Sequence, residues 1–167
     1  LQVLPEGGHL VESTIATVGI VIRDNKNQGV KIKSGNIVDS QNKKVAVFNT
    51  NQVGFGKASF SYEPNNRYKA IVVTKKNKTI TRDIPVAKPQ GLTLTISNPN
   101  SSYIKATINT NKSTLQNNSG KKYQVLVHNA SSSVKSSFTL KKEHKSYNLI
   151  YSTKKIPAGT NIITVFD

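Results

Sequence analysis

The sequence has no cysteine, no methionine and no tryptophan, and only eight acidic residues among 167. Without cysteine there is no disulfide, no thiolate metal site and no thiol nucleophile. Long apolar runs are missing too. No window approaches the roughly 18 apolar residues that a membrane-spanning helix needs, so no membrane insertion by this segment is expected. Hydrophobic residues make up 35% of the chain. Any core must therefore be small and drawn from alternate strand positions. Nor does any stretch repeat apolar residues at i, i+3, i+4 and i+7 over helical length. The chain opens at Leu1 inside a strand-like run and stops at Phe166-Asp167 after another. Both ends are expected to be cut from a longer polypeptide, whose signal peptide or anchor would lie outside this piece.

What the sequence has in excess is positive charge: 24 Lys and Arg give a net charge of +16. Such an excess attracts polyanions. Yet arginine stands only at Arg23, Arg67 and Arg82, whereas nucleic-acid readers favour arginine forks. The lysines are scattered in pairs such as Lys43-Lys44, Lys75-Lys76, Lys121-Lys122, Lys141-Lys142 and Lys154-Lys155, among many Asn and Ser residues. A solvated surface is the expectation, with no nucleic-acid partner. Polyanion binding through surface lysines stands as an alternative.

Period-two alternation dominates the pattern. Ala16, Val18, Ile20 and Ile22 share one face of a run from Thr14. Further runs cover 45–50, 58–62, 68–73 and 78–84, separated by turn sequences such as Asp24 to Gly29, Asp39 to Lys43 and Pro64-Asn65-Asn66. A second set covers 92–96, 103–108, 123–128, 134–140, 147–151 and 160–166, with a long polar connector from Asn109 to Gly120 read as a loop. Between the sets lie Pro85 and Pro89 with Gly91, and proline lacks the N–H of a central strand. The expected fold is all-β: two tandem immunoglobulin-like sandwiches, residues 1–86 and 87–167.

Several motifs carry a family resemblance. Pro5-Glu6-Gly7-Gly8 resembles the opening of macroglobulin domains from bacterial alpha-2-macroglobulin-like proteins. Gly35-Asn36-Ile37-Val38-Asp39 resembles that family's Gly-x-Ile-x-Asp strand. Gly54-Phe55-Gly56 resembles its Gly-x-Gly element, and Pro64 with Tyr68-Lys69-Ala70 resembles its Pro … Tyr-x-Ala ending. Pro157-Ala158-Gly159 through Phe166-Asp167 is similar to the Pro-x-Gly … Phe-Asp strand of a following domain. That last run is common in large surface proteins that join macroglobulin-like repeats to TonB-dependent receptor or plug-type segments. The resemblance implies a cell-envelope location in the periplasm or at the outer membrane, and partners among other domains of the parent chain or another envelope protein. It does not extend to the thioester chemistry of some macroglobulins, which needs cysteine.

Physics assigns these motif residues structural work. Gly7 and Gly8 suit a left-handed turn, and Gly54 and Gly56 a bulge or tight hairpin entry. Tyr68 suits either a tyrosine corner or ordinary half-buried strand packing. Reactive constellations are not apparent. His9, His128 and His144 stand apart without ligand spacing. The acids mostly sit at turns, no Gly-x-Ser-x-Gly elbow occurs, and no phosphate loop is present. No catalytic, metal or cofactor site is expected. The leading reading is a structural and interaction module. An adhesin or glycan-binding sandwich is the alternative, and it would require Tyr103, Tyr123, Tyr147 or Tyr151 to form an exposed platform.

Overall fold

The computed structural model describes residues 1–167 and divides into two compact units, Leu1–Pro89 and Gln90–Asp167. Apart from one short helix it is built of antiparallel strands. No helix is long and apolar enough to cross a membrane.

The first unit holds β1 (Gln2–Pro5), β2 (Thr14–Val21), β3 (Ile32–Val38), β4 (Lys44–Phe48), β5 (Phe55–Tyr62), β6 (Lys69–Thr74) and β7 (Thr79–Asp83). One sheet runs β1-β2-β5 and the other β4-β3-β6-β7. Alternation explains what each buries. Ala16, Val18 and Ile20 of β2 and Ala58, Phe60 and Tyr62 of β5 point inward, while Ile15, just before Ala16, is exposed. Ile37, Ala70 and Val72 from the other sheet join the same core, with Phe48. Phe48 lies opposite Gly35, and a Cβ there would sit 2.3 Å from its ring. Gly35 therefore leaves the space the aromatic fills. Seventeen buried side chains form this core, with only Leu1, Val30, Val45 and Ala46 half-buried against it.

The division falls after Pro89 rather than after residue 86. The reason is packing that the prolines do not reveal. Ala87 is buried in the first core. Lys88 forms a parallel bridge with Val11, its N–H donating to the Leu10 carbonyl and its carbonyl accepting from Glu12. Two prolines end the strand, but the tail still belongs to the first unit.

The second unit holds β8 (Leu92–Asn100), β9 (Tyr103–Thr110), α1 (Lys112–Asn118), β10 (Lys122–His128), β11 (Ser133–Thr139), β12 (Ser146–Ser152) and β13 (Ile162–Phe166). Its sheets run β12-β9-β8 and β11-β10-β13. Only eight hydrophobic side chains are buried in its core, and eleven more hydrophobics pack half-exposed against them. Pro99 sits in β8, an outer strand, where its missing N–H leaves no central ladder bond unmade.

The connector read as a polar loop contains α1. Asn111 caps it, its side chain accepting from the Thr114 N–H at 2.9 Å. The Thr114 hydroxyl donates to the same oxygen at 2.7 Å and accepts from the Gly91 N–H at 2.8 Å. Leu115 is its only buried apolar residue, and seven residues are too few for a helical period to appear in the sequence. Asn111→Ala should lower the stability of this unit by about 1–2 kcal/mol in chemical denaturation, since the cap and the buried hydroxyl lose their partner together.

Candidate functional site

The feature with the clearest chemistry is one end of the first unit. Three connections meet there: residues 22–31 between β2 and β3, 49–54 between β4 and β5, and 75–78 between β6 and β7. Pairing of Val21 with Phe55 and of Ile32 with Thr74 sets their proximity. Each turn is braced internally. Asp24 Oδ1 accepts the N–H groups of Lys26 and Gln28, both at 2.9 Å, and Asn51 Oδ1 accepts those of Val53 and Phe55. Asn27 and Asn77 take positive φ at the tips.

The first two connections interlock through glycine. The Ile22 N–H donates to the Gly54 carbonyl at 2.9 Å, and the Val30 N–H donates to the Ile22 carbonyl at 3.0 Å. A Cβ on Gly29 would lie 2.1 Å from the Val53 carbonyl oxygen. One on Gly54 would lie 2.2 Å from the Ile22 carbonyl oxygen, and Gly54 takes φ +77°. Gly56 is similarly tight, 2.5 Å from the Asn49 carbonyl oxygen. The two motif glycines thus hold backbone against backbone.

This braced end carries the charge. An open groove of about 680 Å³ has Ile22, Val30 and Ile80 among its lining, with Arg23, Lys31, Lys75, Lys76 and Lys78 around them. Lys26 stands on the first connection, and Lys33, at the start of β3, donates to Asn77 Oδ1 at 3.0 Å. Seven of the fourteen basic residues in this unit gather here with one of its six acids, Asp24. The sequence shows these residues as scattered pairs. Only strand pairing brings 23–33 beside 75–78.

The remaining motif residues serve the chain locally. Pro5 to Gly8 make a turn with both glycines at positive φ, closed by the Gly8 N–H on the Pro5 carbonyl at 3.2 Å. Glu6 pairs with Lys57 at 2.7 Å. Pro64 precedes Asn65, which takes φ +56°. Tyr68 is buried, and its hydroxyl accepts the Glu63 N–H at 3.0 Å, the bond a tyrosine corner makes. Tyr62, which the alternation marks as inward but not as a fastener, is also buried. Its hydroxyl accepts the Ala87 N–H at 3.2 Å and donates to the Asn66 carbonyl at 3.3 Å. In the second unit, the carbonyls of Pro157 and Gly159 both accept from the Asn161 amide. Phe166 ends β13, 44% exposed.

Asp167 pairs with Lys121. The hydrogen bond from Lys121 holds the Asp167 carboxyl below the usual carboxylate range, and the same bond raises Lys121. A lowered carboxylate stabilises above its unfolded pKa, so the pair acts at neutral pH and is lost as pH falls through the depressed value. Both groups face solvent, and salt screens what they contribute.

The four tyrosines of the second unit are spent on packing to different degrees. Tyr151 is buried, and its hydroxyl meets the Ser136 hydroxyl at 2.5 Å. Tyr123 stacks on Phe138 at 5.5 Å, and Tyr147 meets Phe138 at 4.9 Å. Tyr103 is half-buried on β9. No group of three or more His, Asp or Glu side chains is placed to hold a metal ion, and His144 lies 6.5 Å from the Tyr147 ring.

No family model matches the sequence, and no curated protein matches it either.

Proposed function

We propose that this chain is a non-catalytic structural and interaction module: two tandem immunoglobulin-like sandwiches of the macroglobulin type, part of a larger bacterial cell-envelope protein associated with TonB-dependent receptor or plug-type segments. One observation carries the reading. The motif residues spend their chemistry on the main chain: Gly54 and Gly56 on close backbone approach, Tyr68 on the Glu63 amide. Such residues build a rigid scaffold that presents loops. The strand order of the first unit, three strands facing four around one core, supports the sandwich assignment. The macroglobulin and envelope assignments rest on the motif resemblance. Deleting residues 1–167 from the parent protein should abolish its assembly or its partner binding; normal assembly and binding after the deletion would count against the module.

A second reading has its own observation, the basic groove. Arginine is represented there by Arg23 alone and no aromatic lines it, so it offers charge without a stacking platform. Its aliphatic floor and cationic rim suit the C–H faces and carboxylate edges of an acidic polysaccharide. Lys75→Glu, Lys76→Glu and Lys78→Glu together should weaken binding to alginate about tenfold or more at low salt. Reversal of Lys141, Lys142 and Lys154, equal in charge change, should weaken it far less. Equal losses would mean that net charge alone binds. Tighter binding to DNA or to phosphatidylserine vesicles than to alginate would reassign the groove. The glycan-platform reading receives less support, because Tyr123, Tyr147 and Tyr151 are engaged by neighbouring side chains.

A further inference from the structure

The three turns at the basic end of the first unit follow one recipe, and it leaves their middle side chains unused. In Asp24 to Gln28, Asn51 to Phe55 and Thr74 to Lys78, the N–H of the first residue donates to the carbonyl of the fifth, at 2.9, 2.8 and 2.9 Å. The fourth residue, Asn27, Gly54 or Asn77, takes positive φ and donates its N–H to the first carbonyl. A side-chain oxygen of the first residue accepts the N–H of the fifth. The second and third residues lend no side chain to this bracing. They are Asn25 and Lys26, Gln52 and Val53, and Lys75 and Lys76, all exposed.

Two of these side chains are neutral amides. Asn25 and Gln52 line the groove together with Lys75 and Lys76. Neither amide is engaged by another group of the protein, whereas Asn27 Oδ1 accepts from Arg23 and Asn77 Oδ1 from Lys33. The turns that carry the two amides are also fixed on each other. The Gly54 carbonyl accepts from Ile22, and Gly29 leaves no room for a Cβ beside the Val53 carbonyl. A ligand that meets both amides therefore has little loop ordering to offset. Their chemistry differs from that of the lysines. A carboxylate only accepts, so an ammonium satisfies it fully. A sugar hydroxyl both donates and accepts, and so does a carboxamide. A bare anion site needs the lysines alone.

We propose that Asn25 and Gln52 are the specificity-determining residues of the groove: they hydrogen-bond to the hydroxyls of an acidic polysaccharide whose carboxylates meet Lys75, Lys76 and Lys78. Their role rests on the reading of the groove as an acidic-polysaccharide site. What they add is discrimination between a uronate chain and any other carboxylate polymer. The lysines attract every polyanion, and salt screens that attraction. The amides act only at contact and only on a ligand with hydroxyls, so they supply the difference between one ligand and another.

The test uses the full chain and two polymers matched in number of carboxylates: alginate, and polyacrylate, which has no hydroxyls. Asn25→Ala combined with Gln52→Ala leaves the net charge unchanged, and neither position takes positive φ. The double variant should bind alginate about tenfold more weakly at low salt, through the hydrogen bonds it loses. Its binding to polyacrylate should stay within about twofold of the parent chain, and the salt dependence of alginate binding should not change, because no charge is removed. Its unfolding temperature should match that of the parent chain. Lys75→Glu, Lys76→Glu and Lys78→Glu together should weaken binding to both polymers. Unaltered alginate binding by the double alanine variant, or equal losses for the two polymers, would overturn the role of the amides. If the lysine reversal still weakens alginate binding in that case, the groove is a polysaccharide site read by charge alone. If the lysine reversal leaves alginate binding unaltered, the polysaccharide reading itself fails and the role of the amides falls with it.

Discussion

Gly54→Ala should destabilise the first unit by about 3 kcal/mol or more, the sum of two separable effects. Gly54 takes φ +77°, where an L-residue is disfavoured by about 1–2 kcal/mol. The added Cβ would also meet the Ile22 carbonyl oxygen at 2.2 Å and the Val30 nitrogen at 2.8 Å. Both contacts are backbone, and both belong to the interlocked connections, so neither can swing aside as a side chain would. Two companion variants separate the terms. Gly8→Ala places a Cβ at φ +91° in open space and should show strain alone, about 1 kcal/mol. Gly29→Ala needs no left-handed backbone but meets the Val53 carbonyl oxygen at 2.1 Å, so it should show the clash alone. Urea unfolding of the three proteins checks the order: Gly54 worst, Gly29 between, Gly8 mildest. A Gly54→Ala loss no greater than that of Gly8→Ala would mean that the two connections do not press on each other.

Tyr62→Ala should cost the same unit about 3–5 kcal/mol, as expected for emptying a buried aromatic site. The ring is 1% exposed and lies 4.7 Å from Tyr68 and 6.1 Å from Phe60. Tyr62→Phe keeps the ring and removes the hydroxyl. The buried Ala87 N–H then loses its acceptor, at a cost of about 1–3 kcal/mol. The phenylalanine variant should also speed amide exchange at Ala87 and Lys88 more than in β2. Uniform acceleration across the unit would mean that the hydroxyl does not specifically fasten the tail.

These residues show what was legible in the sequence. Alternation alone marks Ala16, Val18, Ile20 and Ile22 as one inward face, and all four are buried. That signal is local, written every second residue. Alternation also leaves open which face of 45–50 turns inward, and Ala46, Phe48 and Thr50 supply it while Val47 is 65% exposed. The features that escaped depend on residues far apart in the chain. The tail at Ala87 is placed by Tyr62 and Leu10, not by the prolines around it. Helix α1 is held by an Asn cap and one leucine, too little for a period to register. The basic groove exists because β2–β3 and β6–β7 turn at the same end, so lysines separated by more than forty positions share one rim.

Calorimetry of the full chain tests the central claim, two separate hydrophobic cores of unequal closure, most directly. Seventeen buried side chains against eight predict two heat-absorption transitions, the lower one from Gln90–Asp167. Gly54→Ala should move only the upper transition, and Asn111→Ala only the lower. A single cooperative transition that both variants shift together would contradict the account.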